Sequence, residues 1–194
     1  GTSQAFGRAE VAAAADEMAD YIESVVAARR SSPRDDLISI LTQAEEGDAL
    51  TSGEVLSFIV LLLIAGNETT TNLIGNAMRA MLAHPDVMER VAADRSRIPA
   101  MLEEALRYDS PIQGIPRKVV EEVELGGTKL PKDAFLMVLF ASANRDEQQF
   151  AEPDRFDIDR KSREHVAFGH GILFCLGAAL ARLEARVAFE TLFD

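Results

Sequence analysis

Residues 168–177 read FGHGILFCLG and hold Cys175, the one cysteine in the chain. A thiol that binds a metal must be accessible, held at a fixed angle and ionised, and the free amides of a helix N-terminus favour the ionised form. Gly169, Gly171 and Gly177 let a tight loop pass closely beneath a flat cofactor with no Cβ in the way, and Phe168 shields the sulfur from water. The competing reading is a buried structural cysteine in a glycine-rich turn, the usual fate of a lone cysteine. Five such fixed positions arise by chance in a chain of this length about once in ten thousand, which favours the thiolate. Zinc is a poor rival, because only His165 and His170 lie nearby and a closed site needs more ligands. A Cys–His nucleophile pair lacks an obvious oxyanion donor.

Three other segments carry groups capable of chemistry. AGNETT (65–70) places Glu68 and Thr69 in an apolar helical pattern, where a Thr hydroxyl can bond back to a carbonyl one turn earlier and bend the helix. Alone it reads equally well as a buried helix with satisfied polar groups. EALR (104–107) sets Glu104 and Arg107 three residues apart, neighbours on one helix face. Alone, that spacing is usually a surface salt bridge of little worth. PDRF (153–156) supplies Arg155, and Arg117 follows SPIQGIP as an unremarkable charge.

The elements that must position these groups are mostly helical. Residues 9–30 alternate apolar and charged at helical spacing until Ser31-Ser32-Pro33 breaks the pattern. Asp36 caps a second helix. Thr51 and Glu54 form a capping box for a proline-free helix running to His84, apolar nearly all round at its start and expected in the middle of the molecule. Pro85 and Pro99 open two further helices. VELGGTKL is a hairpin around Gly126-Gly127, AFLMVLF a buried strand, and 141–160 a loop. A final amphipathic helix starts just after Cys175, with Leu176, Leu180, Leu183 and Val187 on one face. The fold class is mainly α with a small β-sheet.

The chain of 194 residues is long enough for one domain with a core. Its net charge of −12 speaks against nucleic acid and against an anionic membrane surface. One cysteine forms no internal disulfide and points to a reducing cytoplasm. No signal peptide opens the chain, which starts with Gly rather than Met as a fragment or processed chain would, and the apolar run 55–66 is too short to span a bilayer.

FGHGILFCLGAALARLEA resembles the haem-binding loop and following helix of the bacterial soluble cytochrome P-450 monooxygenases. The resemblance implies haem (heme b) with Cys175 as the axial thiolate, cradled by Phe168, Gly169, Gly171 and Gly177. AGNETT resembles the family's central-helix motif, with Ala65 and Gly66 beside the haem and Glu68 and Thr69 relaying protons to bound dioxygen. It implies that Glu104, Arg107 and Arg155 form one structural network and that Arg117 pairs with a haem propionate. Where the family usually carries a propionate-binding His or Arg, two residues before the cysteine, this chain has Leu173, and His165 is the nearby substitute.

The likeness implies a single, truncated domain over 1–194, the C-terminal half of that fold, with 51–84 as the long central helix and 165–194 as the cysteine loop and following helix. The central helix then lacks cover on one side, which a second copy, the rest of a longer protein, or a rebuilt fold would supply. The implied function is a monooxygenase, or part of one, inserting one oxygen atom of dioxygen into a small organic substrate. Its electrons come from a ferredoxin-type donor, with Arg182 and Arg186 on the docking side. A haem-binding module with little activity and a haem-free assembly domain are the alternatives.

Overall fold

The computed structural model describes residues 7–47, 49–161 and 164–194. It divides into two compact units between Ala65 and Gly66. In the first, helix α1 (Arg8–Ser31) opens with the Gly7 amide donating to Glu10 Oε2 at 2.7 Å. Helix α2 (Leu37–Glu46) is capped as expected, with Asp36 Oδ1 accepting from the Ser39 amide at 2.9 Å. Helix α3 (Ser52–Ala83) starts at the capping box: the Thr51 amide donates to Glu54 Oε2 at 2.8 Å and the Glu54 amide to Thr51 Oγ1 at 3.3 Å. Ile22 and Val26 from α1, Leu41 from α2, and Val55 and Ile59 from the start of α3 form this unit's core.

The second unit holds the rest of α3 and helices α4 (Pro85–Ala93), α5 (Ile98–Tyr108), α6 (Phe140–Ala143) and α7 (Ala178–Leu192). Pro85 and Pro99 stand in the first turns of α4 and α5, where no intrahelical N–H is missed. Leu73, Ala77 and Met81 of α3 share one core with Val87 and Val91 of α4, Met101, Leu102 and Ala105 of α5, and Ala185 and Phe189 of α7.

The strands form two separate two-stranded antiparallel ribbons in place of one small sheet. Strand β1 (Ile115–Lys118) pairs with β4 (Phe135–Val138), placing Arg117 opposite Leu136. Between them, β2 (Val123–Leu125) and β3 (Thr128–Leu130) make the expected hairpin, with Gly126 and Gly127 at φ of 56° and 77°, which such a turn requires.

Three expectations are corrected. Strand β4 is not buried, because no layer covers it: Phe135 is 78% and Met137 55% exposed. Nor is α3 enclosed throughout, since Leu61, Leu63 and Ile64 are exposed while Leu73, Ala77 and Met81 are buried. The helix is also long and apolar enough to cross a membrane by length and composition, although the twelve-residue run alone is too short. The polar stretch Asn67–Asn72 ends that run, and the turns after it enter the protein core. Finally, the apolar face expected of the last helix is exposed, at Leu180, Leu183 and Val187 and at Leu176 just before α7 begins, and the helix buries Ala178, Ala185 and Phe189 instead.

Gly114 marks a close approach that side chains do not tolerate. A Cβ there would lie 2.8 Å from the Val138 carbonyl oxygen. Gly114→Ala should cost about 1–3 kcal/mol through overpacking of the β1–β4 ribbon. A Cβ at Gly75, in α3, meets nothing within 4 Å, so Gly75→Ala should stabilise by about 0.5–1 kcal/mol. Thermal melts of the two variants check the contrast.

Candidate functional site: a cysteine loop on a buried polar frame

The loop bearing Cys175 folds back on itself. The Cys175 amide donates to the Phe168 carbonyl at 2.8 Å, and Gly169 and Gly171 hold φ of 75° and 65° on either side of His170. A Cβ at Gly169 would also press to 3.2 Å from the Leu173 oxygen, so both space and backbone demand glycine there. A 3-10 turn over Gly171–Leu173 leads to the cysteine, and α7 begins only at Ala178 with Gly177 as its N-cap. Cys175 therefore stands two residues ahead of the N-cap, not in the helix's first turn. Its side chain is exposed.

Around it lie exposed Leu173, Phe174, Leu176 and Leu180. Among the described residues, no group of three or more His, Cys, Asp or Glu is arranged to hold a metal. Of the loop glycines, only Gly169 would bring a Cβ into a close contact, since one at Gly171 would meet nothing within 4 Å and one at Gly177 only the Cys175 sulfur at 4.0 Å.

Beneath the loop, Glu103 of α5 accepts from Arg182 of α7 at Oε1 (2.6 Å) and Oε2 (2.9 Å). His165 Nδ1 accepts from the Ala167 amide at 3.3 Å, which leaves Nε2 to donate to Glu103 Oε2 at 3.2 Å. The Arg182 guanidinium lies over the Phe168 ring, 4.5 Å from its centroid. His165 is therefore engaged on both nitrogens and is no substitute for a propionate anchor. Arg182 is likewise engaged, and Arg186 pairs with Glu190 at 2.7 Å along its own helix. Burial alone would raise the Glu103 carboxyl, but hydrogen bonds from Arg182 and His165 outweigh it and bring it from 4.5 down to about 2.

The Glu104–Arg107 pair is buried, not superficial. Glu104 accepts from Arg107 Nη2 at Oε1 (2.8 Å) and Nε at Oε2 (2.9 Å), and Arg107 donates onward to the carbonyls of Asn144 (2.9 Å), Pro153 (2.8 Å) and Arg155 (3.1 Å). The second guanidinium on Glu104 belongs to Arg160, whose Nε lies 3.2 Å from Oε2. Arg155 enters only through its carbonyl, and its exposed side chain pairs with Glu152 at 3.3 Å. The position expected of Arg155 thus falls to Arg160, five residues on, because the turn at 157–160 carries the chain back under Glu104. Asn144 was invisible in the sequence: fully buried, it donates to Ser110 Oγ (2.9 Å) and accepts the Val166 amide (2.8 Å), tying the frame to the base of the cysteine loop.

Ala65, Gly66 and Glu68 are exposed and Thr69 is half-buried on α3, and a Cβ at Gly66 would meet nothing within 4 Å. Core packing of Leu73 and Ala77 with Ala185 and Phe189 is what joins the helix to α7. Arg117 Nη1 donates to the Pro116 carbonyl at 3.1 Å on the β1–β4 ribbon.

Two measurements test this frame. Arg107→Met leaves Glu104 buried with one partner fewer and should cost about 3–5 kcal/mol, whereas Arg155→Met should stay within about 0.5 kcal/mol; urea unfolding separates them. Because the folded value of Glu103 lies below its ordinary one, its ionised form stabilises the fold above pH 4.5, and that contribution is lost as pH falls toward about 2. Between those values the wild-type chain should lose stability more steeply than Glu103→Gln, as read by melting temperature against pH.

The family profile described as Cytochrome P-450 matches residues 6–194. Cytochrome P-450 107B1 of Saccharopolyspora erythraea is 46% identical over 179 residues, covering 91% of this chain and 44% of that protein. The solved structure of cytochrome P-450 CYP109Q5 from Chondromyces apiculatus superposes with a TM-score of 0.91 at 51% identity, over 96% of this chain and 48% of that one. CYP109E1 from Bacillus megaterium, solved in complex with testosterone, gives a TM-score of 0.90 at 45% identity, over 96% and 52%. The chain spans about half the length of these relatives. On this match across nearly its whole length, the chain belongs to the cytochrome P-450 family.

Proposed function

We propose that the chain is the thiolate-bearing part of a bacterial haem monooxygenase acting in the cytoplasm, one domain that takes in both compact units, with Cys175 as the protein ligand of the haem iron. The observation that carries this reading is the exposed Cys175 on a glycine-turned loop, set among apolar side chains and fixed from beneath by buried polar groups. Haem, when bound, supplies the one-electron and dioxygen chemistry that no side chain provides. Phe168, Gly169, Gly171 and Gly177 hold the thiolate at a fixed height and keep Cβ atoms away from the ring. Arg117 offers a cation to an acidic edge of the cofactor. Glu68 and Thr69 pass protons toward the site from α3, and Gly66 keeps space open there.

The substrate is a small organic molecule, and the testosterone held by the Bacillus megaterium relative supports an apolar ring compound. A small ferredoxin-type protein supplies electrons, docking on the cysteine side, where Arg182 and Arg186 offer partly exposed cations. The exposed apolar residues of α3, β4 and α7 support contact with a covering surface, which for the purified chain is a second copy. One observation favours a second reading, haem binding with little turnover: Leu173 is 67% exposed where a polar anchor for the cofactor would stand.

The test is the absorption spectrum of the haem-loaded chain, reduced and exposed to carbon monoxide. A Soret band displaced strongly to the red, and lost in Cys175→Ser, is the expected result. A haem band without that displacement favours the second reading, and failure to take up haem overturns both.

A further inference from the structure

We propose that Glu103 is a positioning residue for Cys175, acting through Arg182 and His165 as a clasp at the base of the cysteine loop. The loop stays tied to the protein body through Val166–Phe168 and is buried again at Ala178, and one carboxylate holds both His165 before it and Arg182 after it. Glu103 accepts two hydrogen bonds from Arg182 (2.6 and 2.9 Å) and one from His165 (3.2 Å). Both held residues also touch the loop interior. Arg182 covers the Phe168 ring at 4.5 Å, and His165 Nδ1 takes the Ala167 amide at 3.3 Å. Phe168 in turn supplies the carbonyl that receives the Cys175 amide at 2.8 Å. The path from carboxylate to thiol therefore runs Glu103, Arg182, Phe168, Cys175, each step a contact.

The arrangement suits positioning more than bulk stability. The His165 side chain is 3% exposed and Glu103 19%, while Cys175 stands in the open at the far end. The thiol's apolar neighbours Ile172, Leu173, Phe174 and Leu176 are exposed, so the loop is tied to the core chiefly through Ala167 and Phe168. The direction of the thiol must be set from below, and bidentate pairing of a planar guanidinium with a carboxylate sets angle as well as distance. Neighbouring Glu104 belongs to a different network, with Arg107 and Arg160, so consecutive acids of α5 serve two separate frames.

The proposal rests on the reading of Cys175 as an iron ligand for its purpose, but its geometry is testable without haem. Amide hydrogen exchange is read residue by residue by NMR on the 194-residue chain, for wild type, Glu103→Gln, Arg182→Met, Arg182→Lys and the surface control Arg90→Met. Glu103→Gln and Arg182→Met should speed exchange at the Cys175 amide about tenfold while Val91 and Ala105 change less than about twofold. Arg182→Lys, which keeps charge but loses the fork, should fall between, and it keeps the test open if a neutral variant fails to fold. The haem-loaded variants should show at least half of the red-displaced carbon monoxide band lost at equal haem content. An unchanged Cys175 amide in these variants, or uniform acceleration at every amide, overturns the clasp. Absence of the displaced band in wild type defeats the functional reading, while the exchange rates still decide the clasp.

Discussion

The irregular segment that leads from α6 to the cysteine loop hangs on the buried pairing of Glu104 with Arg107. A charge pair inside a protein is costly to desolvate, and it persists only when the remaining donors and lone pairs find partners. Here they do. Arg107 reaches three carbonyls from residues 144–155, and Glu104 receives Arg160 and the Asp157 amide. A long irregular segment, which has no ladder of its own to satisfy its carbonyls, is thereby given a single conformation. Asn144 carries that order to Val166, three residues short of Gly169, where the loop turns.

The polar frame is complemented by an apolar one. Leu73, Ala77 and Met81 on α3 and Ala185 and Phe189 on α7 meet in the same core as α4 and α5. Small residues at 77 and 185 permit close approach, and Phe189 fills the space that remains. The helix following the cysteine is thus held at two points, by packing toward its end and by the Arg182 fork near its start.

Much of this was legible in the residues. Caps at Asp36 and Thr51, first-turn prolines at 85 and 99, and the Gly126-Gly127 turn are local signals whose physics operates within a few residues, and each produced its element. Position in space was less legible. An apolar strand such as Phe135–Val138 reads as buried whether or not anything lies over it, and the α7 leucines point away from the core that their spacing suggested. The arginine that completes the Glu104 network was misplaced for a related reason. Arg155 and Arg160 differ only by a turn, and nothing local says which one the backbone returns to Glu104. Glu103 was hidden by its neighbour, since an acid beside a recognised acid draws no notice in a sequence.

The uncovered apolar faces of α3, β4 and α7 have a colloidal consequence. A molecule that exposes Leu61, Phe135, Leu176 and Leu180 together stays dispersed only while its copies repel one another. The net charge of −12 supplies that repulsion at neutral pH, and it vanishes near the isoelectric point of about 4.7. Mild acidity therefore removes that repulsion at a pH above the range in which the Glu103 clasp loses its charge.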